Sequence, residues 1–286
     1  MTAPKIVPRR SVLYMPGSNA RALEKAKSLP ADGLILDLED ATAPDKKLEA
    51  REQVCAAVKE GGYGKRELII RVNGLDTEWG QDDVKAAAKV PCDAILLPKV
   101  ETRAQIEQAV GLMAGADART RIWCMLETPL GILNAKEIAS AHPLVGCFVM
   151  GTSDLTKDLH AQHTAMRLPM ITSLGICLLA ARAYDLAILD GVYLDLNDAD
   201  GFKESCVQGL ELGFDGKTLI HPKQVEPCNE VFAPSADAVE HARKVIAAYE
   251  AAVAEGKNVV LVDGKLVENL HAESARRLVA LAEAIG

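Results

Sequence analysis

Two acidic residues, Glu127 and Asp154, each follow an apolar run that predicts a buried strand. Carboxylates combined with water and substrate oxygens suit Mg²⁺, which takes few protein ligands and keeps several waters. Zn²⁺ favours His and Cys, and neither of these residue types clusters in the sequence. Each carboxylate is also placed to cap a following helix. Glu127 and Asp154 are therefore candidate magnesium ligands, with helix capping as the alternative.

A buried cation is the second chemical signal, because Arg71 stands in the otherwise apolar run Leu68–Val72. A charge in a buried strand is costly unless it is paired or functional. A guanidinium captures a carboxylate or a developing oxyanion through two parallel hydrogen bonds. Glu39 and Asp40 end another apolar run and are available to pair with Arg71, and both interpretations can hold together. Lys99, which ends a further run, either holds an anion or pairs with an acid.

Other catalytic patterns are absent from the sequence or have a structural explanation. It contains no G-x-S-x-G elbow, no P-loop and no Cys-x-x-Cys. The seven cysteines are odd in number and widely spaced, so we expect reduced, structural thiols and a cytoplasmic location. His221, which precedes Pro222, is a base, a ligand or a structural imidazole, and the structural interpretation is favoured.

The elements that must position these residues alternate between short apolar runs and longer helical patterns. Runs that are apolar almost throughout are typical of strands covered on both faces. Eight such runs are present: Ser11–Pro16, Gly33–Asp40, Glu67–Asn73, Ala94–Val100, Arg121–Glu127, Gly146–Thr152, Leu186–Tyr193 and Lys217–Pro222. Five segments with helical spacing lie between them: Asn19–Leu29, Pro44–Lys59, Thr102–Met113, Leu168–Tyr184 and Gly201–Leu212.

The repeated strand–helix pattern predicts an α/β fold, a (β/α)₈ TIM barrel over residues 1–222. A doubly wound open sheet often has a glycine-rich first turn, and here that turn reads Pro16-Gly17-Ser18-Asn19, which favours the barrel. In a barrel, the residues that end each strand converge on one rim, where function lies. Residues 223–286 are predicted to be a helical C-terminal extension without a core of its own, packed on the barrel or a neighbouring subunit.

The composition of the chain limits the kind of core it can form and the kinds of partner it can bind. The 286 residues are 49% hydrophobic and 4% aromatic, so the core has to be built from aliphatic side chains. The net charge is −8 and no run of Lys and Arg exceeds two residues, which argues against a nucleic acid partner. No apolar stretch approaches the ~20 residues of a membrane span, and the polar segment Met1–Arg10 lacks the apolar region of a signal peptide.

Seven short motifs occur in a characteristic order along the chain. They are Arg10–Gly17 (RSVLYMPG), Asp37–Ala41 (DLEDA), Arg71–Asn73 (RVN), Leu97–Lys99 (LPK), Glu127–Gly131 (ETPLG), Gly151–Leu155 (GTSDL) and Ile220–Pro222 (IHP). Together they resemble the citrate lyase β-subunit-like family of CoA-ester lyases, over nearly the whole chain. Three longer segments look most like the (3S)-malyl-CoA thioesterase branch of that family: Arg71–Gly80, Phe214–Pro222 and Asp263–His271.

The resemblance implies a homotrimer or homohexamer whose barrel holds Mg²⁺ through Glu127 and Asp154. It implies that Arg71 holds the oxo- or hydroxy-acid part of the substrate. Three further residues are grouped with Arg71 as substrate-binding: Glu39, Asp40 and Lys99. Three residues near the N-terminus are expected near the CoA moiety: Tyr14, Asn19 and Lys25. The family also has a catalytic acid on a C-terminal segment that reaches over a neighbouring subunit's site, and Glu268 stands at that position, where many relatives have Asp.

The implied substrate is a malyl-CoA-type thioester. Mg²⁺ acts as a Lewis acid on its hydroxy-acid end, and Arg71 adds positive charge where an oxyanion develops. Hydrolysis to malate and CoA is the favoured reaction. The alternative is lyase cleavage of malyl-CoA or citramalyl-CoA-type esters to an oxo acid and acetyl-CoA, with Glu268 protonating the enolate. Two hypotheses of other classes are a non-autonomous subunit that takes an acyl-carrier-protein thioester, and a ligand-binding barrel without catalysis.

Overall fold

The computed structural model describes residues 6–286, so the first five residues of the predicted polar segment lie outside the described residues. Residues Arg9–Phe232 form one compact unit, and Ala233–Gly286 with residues 6–8 form another. The first unit extends ten residues beyond the predicted boundary at residue 222. The reason is that the segment after Pro222 is tied to the first unit by hydrogen bonds. Ser11 Oγ donates to Asn229 Oδ1 (2.7 Å), and Asn229 Nδ2 donates to the carbonyl of Pro30 (2.8 Å).

The first unit is a closed barrel of eight parallel strands in sequence order, as predicted. The strands are β1 (Ser11–Pro16), β2 (Gly33–Asp37), β3 (Glu67–Arg71), β4 (Ala94–Leu97), β5 (Arg121–Leu126), β6 (Val145–Met150), β7 (Ala187–Asp190) and β8 (Gly216–Leu219). Pairing of β1 with β8 closes the barrel. Most strands end earlier than their apolar runs, so residues such as Glu39, Lys99 and Glu127 lie in the loops that follow the strands at the C-terminal rim.

Alternate strand residues contribute to two separate apolar clusters, which explains the near-continuous apolar runs. One cluster fills the barrel and consists of strand residues, among them Val12, Ile35, Leu96 and Trp123. The other combines the alternate strand residues with residues of the surrounding helices. Since both faces of each strand are buried, the strands do not show the alternation of apolar and polar residues that is typical of a half-exposed strand. Aliphatic side chains dominate both clusters, as the low aromatic content predicts.

Ten helices belong to the first unit. They are α1 (Ala20–Ala26), α2 (Lys47–Glu60), α3 (Gly80–Ala87), α4 (Arg103–Leu112), α5 (Pro129–Leu133), α6 (Ala135–Ala139), α7 (Thr152–Asp158), α8 (Leu168–Ala183), α9 (Ala199–Leu212) and α10 (Val225–Phe232). The five predicted helical segments correspond to α1, α2, α4, α8 and α9. The others are eight residues or shorter, which is too short for a helical period to stand out from the sequence.

The second unit has a small hydrophobic core, so the expectation that this segment lacks one was wrong. It comprises α11 (Ala236–Ala254), a hairpin of β9 (Val260–Val262) and β10 (Lys265–Val267), and α12 (Asn269–Ile285). The core consists of seven buried residues: Ala242, Val245, Tyr249, Val262, Val267, Ala272 and Ala275. The hairpin turns through Asp263 and Gly264, both with positive φ, as the tight turn between two right-handed twisted strands requires. No helix within residues 6–286 is long and apolar enough to cross a membrane.

Candidate active site

A cavity of about 360 Å³ opens at the C-terminal ends of the barrel strands. It brings together five of the predicted site residues. They are Tyr14, Asp40, Arg71, Glu127 and Asp154, which come from or follow β1, β2, β3, β5 and β6. Asp37, Met125, Met150, Gly151 and Thr218 also contribute to its wall. The convergence of strand-end residues on one rim is the arrangement that the barrel prediction requires.

Arg71 is held by Asp37, a residue that the sequence analysis did not single out. The two residues are partners in the parallel register of β2 and β3. Arg71 Nε and Nη2 donate to the two Asp37 carboxylate oxygens at 2.7 and 2.6 Å. Burial disfavours the guanidinium charge, but the hydrogen bonds and charge of Asp37 hold the pKa of Arg71 well above its ordinary value. Arg71 is therefore a permanent cation of fixed orientation.

The expected partners of Arg71 contact its remaining nitrogen, Nη1. Glu39 Oε2 lies 2.9 Å from it, in a direction unsuited to a hydrogen bond, and Asp40 Oδ2 lies at 3.4 Å. Lys99 Nζ lies 3.1 Å from Glu39 Oε1, so Glu39 bridges two cations. Burial lowers the pKa of Lys99, but Glu39 outweighs it and the net shift is upward. A charged ammonium of this kind does not suit Schiff-base chemistry, which needs a depressed pKa.

The buried carboxylate of Glu127 lies between the backbone amide of Lys99 and the backbone of Gly151. Its Oε1 accepts a hydrogen bond from the amide of Lys99 (2.9 Å), whose φ of 48° lies in the left-handed region. Gly151 leaves room on the other side, because a Cβ at residue 151 would lie 2.5 Å from Glu127 Oε2. Burial is the main cause that raises the pKa of Glu127, and the charges of Glu39 and Asp154 raise it further. The hydrogen bond from the Lys99 amide lowers it, and the resulting pKa is about 8.

The carboxylates of Glu127 and Asp154 fit a hard divalent cation. Neither carboxylate caps a helix, since Thr128 accepts from Gly131 at the start of α5 and Gly151 is the N-cap of α7. The helix-capping alternative is therefore wrong for both residues. No cluster of three or more His, Cys, Asp or Glu side chains arranged for a metal occurs among residues 6–286. Two carboxylates beside an open cavity suit a cation that keeps water and substrate oxygens as its other ligands.

The three residues expected near CoA lie in different environments. Tyr14 lines the cavity, and its ring centroid lies 4.9 Å from Cζ of Arg71 in a cation–π contact. Asn19 is the N-cap of α1, where its Oδ1 accepts from the amide of Ala22 (3.1 Å). Lys25 is exposed in the last turn of α1. Asn19 and Lys25 do not line the cavity.

Glu268 belongs to the second unit, where it is the N-cap of α12. Its amide donates to Nδ1 of His271 at 3.0 Å, one half of a capping box. His221 has a comparable structural role in the first unit, because its Nδ1 accepts from the amide of Lys223 (3.2 Å). The structural interpretation of His221 therefore accounts for this residue, and the catalytic role of Glu268 stays a prediction.

An eight-stranded parallel barrel with an arginine and two carboxylates at its C-terminal rim has the architecture of a TIM-barrel enzyme. Residues 10–222 match the model of the HpcH/HpaI aldolase/citrate lyase family, and the chain belongs to this family. It is 51% identical over 278 residues to a (3S)-malyl-CoA thioesterase of Cereibacter sphaeroides, covering 97% of this chain and 96% of the relative. It is 36% identical to the citrate lyase subunit beta of Escherichia coli over 288 residues, 97% of this chain and 94% of that one.

A solved structure shares the fold over the whole length of the chain. It is the protein CitE of Mycobacterium tuberculosis in complex with magnesium, acetoacetate and coenzyme A. The similarity has a TM-score of 0.79 and 27% sequence identity, and it covers 98% of this chain and 99% of CitE.

Proposed function

We propose that this protein hydrolyses (3S)-malyl-CoA to malate and CoA in a Mg²⁺-dependent reaction. The observation that carries the proposal is the juxtaposition of Arg71, Glu127 and Asp154 in one rim cavity of a family barrel. The near full-length relatives named (3S)-malyl-CoA thioesterase, at 51% identity, support this substrate. The CitE complex with magnesium and coenzyme A supports the cofactor and the CoA moiety.

Glu127 and Asp154 are the residues that would hold the magnesium ion. When bound, Mg²⁺ supplies Lewis acidity toward the oxygens of the substrate's hydroxy-acid end and fixes its orientation. The charge of the ion would also offset the negative charges of Glu127 and Asp154. This matters most for Glu127, because burial disfavours its ionised form. Gly151 keeps this position open for the Glu127 side chain.

Arg71 binds the carboxylate of the malyl group and stabilises negative charge that develops beside it. Asp37 occupies Nε and Nη2, so the ligand shares Nη1 with Glu39. The Asp40 side chain is 66% exposed and makes a long 3.4 Å contact with Nη1, so a substrate carboxylate can replace it. Glu39 and Lys99 form the adjoining charged wall. Lys25 and Asn19 meet the CoA moiety, and Glu268 is the catalytic acid.

Product analysis tests the reaction. The purified chain is incubated with (3S)-malyl-CoA and Mg²⁺, and the products are separated by chromatography. Free malate and CoA support hydrolysis, whereas glyoxylate and acetyl-CoA support the lyase alternative. Formation of neither product set with Mg²⁺ present refutes both assignments, and activity that survives chelation of divalent cations refutes the magnesium role.

A second candidate function is favoured by the 36% identity to citrate lyase subunit beta. In that case the chain is a non-autonomous subunit that takes its thioester from an acyl-carrier protein. Turnover of free malyl-CoA by the isolated chain contradicts it. Co-purification of partner chains, with activity that depends on them, supports it over the autonomous enzyme.

The protein is further proposed to be a cytoplasmic homotrimer or homohexamer. The seven cysteines are all free thiols, which suits a reducing compartment. The outer face of α8 supports self-association, because Leu168 and Leu179 are largely exposed and no Asp, Glu, Lys, Arg or His occurs between Leu168 and Ala181. Exposed apolar faces of this kind mark interaction surfaces. Light scattering coupled to size-exclusion chromatography measures the assembly, and a monomer at micromolar concentration contradicts this part of the proposal.

A further inference from the structure

Tyr14 lies at the charged end of the rim cavity. It stands two residues after Val12 on β1, on the inward face of the strand, and it packs against the cluster that fills the barrel. Its ring meets the guanidinium of Arg71 at 4.9 Å. The charges that act on its hydroxyl are those of Arg71, Asp37, Glu127 and Glu39. The phenol therefore points into the group of residues proposed to hold the acid end of the substrate.

The Tyr14 hydroxyl has no hydrogen-bond partner within residues 6–286. Two of the other four tyrosines do have partners, since the hydroxyl of Tyr63 donates to the carbonyl of Leu23 (3.3 Å) and that of Tyr193 donates to Asp198 (2.5 Å). Tyr14 is only partly buried and lines the rim cavity, so its hydroxyl is open to a ligand that enters the cavity. Burial raises the pKa of Tyr14 above its ordinary value, with Arg71 opposing, so the phenol keeps its proton. Tyr14 thus presents to the cavity an O–H donor that no acceptor among residues 6–286 engages.

The charged neighbours of Tyr14 indicate which group of a ligand its hydroxyl can meet. Both oxygens of Asp37 are engaged by Arg71 and Oε1 of Glu127 by the Lys99 amide, whereas Oε2 of Glu39, 2.9 Å from Nη1 of Arg71, accepts no hydrogen bond from the described residues. A ligand carboxylate that meets Nη1 of Arg71 lies beside the ring stacked on the same guanidinium. Such a carboxylate has more lone pairs than one arginine nitrogen uses, so it can accept a second hydrogen bond.

We propose that Tyr14 determines specificity for the acid end of the ligand, by donating a hydrogen bond from its hydroxyl to the carboxylate that Arg71 binds. The ligand class, a short 2-oxo or 2-hydroxy acid or its thioester, rests on the proposed function. This role differs from the contact with CoA that the sequence resemblance implies for Tyr14. The ring stabilises the orientation of the guanidinium, and the hydroxyl distinguishes an anionic acid from a neutral group of the same shape.

The Tyr14→Phe variant tests the proposal, because it removes the hydroxyl and keeps the ring beneath Arg71. Tyr184→Phe is the matched control, since Tyr184 ends α8 and lines no part of the cavity. Binding of glyoxylate in the presence of Mg²⁺, and separately of CoA, is measured by isothermal titration calorimetry on both variants and the wild type. Loss of a hydrogen bond to a charged acceptor predicts glyoxylate binding weakened about tenfold to a hundredfold in Tyr14→Phe. CoA binding and the melting temperature stay unchanged.

The outcomes separate this inference from the proposed function. Glyoxylate binding within twofold of the wild type in Tyr14→Phe overturns the role of the hydroxyl, and so does a loss confined to CoA binding. Absence of glyoxylate binding to the wild type overturns it as well. Weakened glyoxylate binding in a protein that turns over no malyl-CoA upholds the role of Tyr14 and rejects the proposed reaction. With malyl-CoA as substrate, a rise in KM with little change in kcat is expected, because the contact exists in both ground and transition states.

Discussion

Asp37 and Arg71 stand opposite each other on adjacent parallel strands and form a buried ion pair with two hydrogen bonds. Asp37 is 1% exposed, and its two oxygens also accept from the amides of Glu39 and Ala41. The carboxylate therefore fixes the loop after β2 and the guanidinium on β3 together. Because Asp37 binds Nε and Nη2 of Arg71, the nitrogen that can meet a ligand is Nη1.

Replacement of Asp37 by Ala is expected to destabilise the protein strongly. The change leaves the Arg71 charge buried without its main partner, which typically costs about 3–5 kcal/mol. Unfolding in urea, followed by circular dichroism, measures the loss. The control is Asp40→Ala, whose side chain is exposed and contacts Arg71 at 3.4 Å, and for which a change below about 1 kcal/mol is expected. Equal effects of the two variants would show that Asp37 is not the structural partner.

Neutral variants of the two proposed metal ligands test the magnesium site. Glu127→Gln and Asp154→Asn keep the size of each side chain and remove the charge that would hold the cation. We expect Mg²⁺-dependent turnover to fall on the order of a thousandfold, since the Lewis acid contributes several kcal/mol of transition-state stabilisation. The fold should survive in both. Asp158→Asn, on the same helix as Asp154 but outside the cavity, serves as the control. Wild-type activity in both ligand variants would remove the metal-site assignment.

Gly151 offers a test of how Glu127 is positioned. An added Cβ there would meet Cβ and Oε2 of Glu127, so Gly151→Ala must displace the carboxylate or the backbone. Overpacking of this kind costs about 1–3 kcal/mol, and we expect activity to fall more than stability. Gly111→Ala in α4 meets open space and is expected to be neutral or slightly stabilising, because alanine favours a helix. The measurements are kcat/KM and the midpoint of thermal unfolding. Full activity in Gly151→Ala would contradict the seating of Glu127.

The barrel and most of its rim residues could be predicted from the sequence because their signals are local. Strands buried on both faces give continuous apolar runs, and a charged residue such as Arg71 within such a run is conspicuous. Glu127 and Asp154 were found by the same means, as acids that follow apolar runs. The topology then places them on one rim without further information.

The remaining features depend on registers and contacts that no local pattern records. Three acids follow one another in Asp37-Leu38-Glu39-Asp40, and the pairing of β2 with β3 decides that Asp37 faces Arg71. The stacking of Tyr14 on Arg71 likewise depends on two strands that are distant in sequence. The core of the second unit is assembled from single residues of two helices and a hairpin that are distant in sequence, so no one segment shows that the core exists.

The buried Asp190 predicts how stability responds to acid. Burial disfavours its charge, but Lys217 (2.8 Å) and Arg167 (2.7 Å) outweigh this and lower the pKa of Asp190. Because the folded pKa lies below the unfolded one, ionised Asp190 stabilises the fold above about pH 4, and this contribution is lost as pH falls through the folded pKa. Asp190→Asn should therefore destabilise the protein at pH 7 by about 3–5 kcal/mol, and its stability should decline less steeply than that of the wild type as pH falls below about 4.

Asp117→Asn is the control for the acid response. The pKa of Asp117 is also lowered, through hydrogen bonds from Arg119, but the side chain is exposed and its charge is screened by water. Urea unfolding at pH 7 and pH 3 compares the two variants with the wild type. If Asp190→Asn is less stable than the wild type by the same amount at pH 7 and at pH 3, the ion network of Asp190 does not contribute to acid sensitivity.

The outer face of α8 predicts where copies of the chain associate. Leu179 is 76% exposed, and within one chain its replacement by Glu removes little buried surface, so a change within about 0.5 kcal/mol is expected for the isolated protein. At an interface with a second copy, the same change places a charge in an apolar contact and should dissociate the assembly. Leu48→Glu on α2, where the leucine is 61% exposed, is the matched control. Light scattering on the three proteins gives their masses. A reduced mass for Leu179→Glu alone supports association through α8, whereas identical oligomeric masses for all three place the interface on another surface.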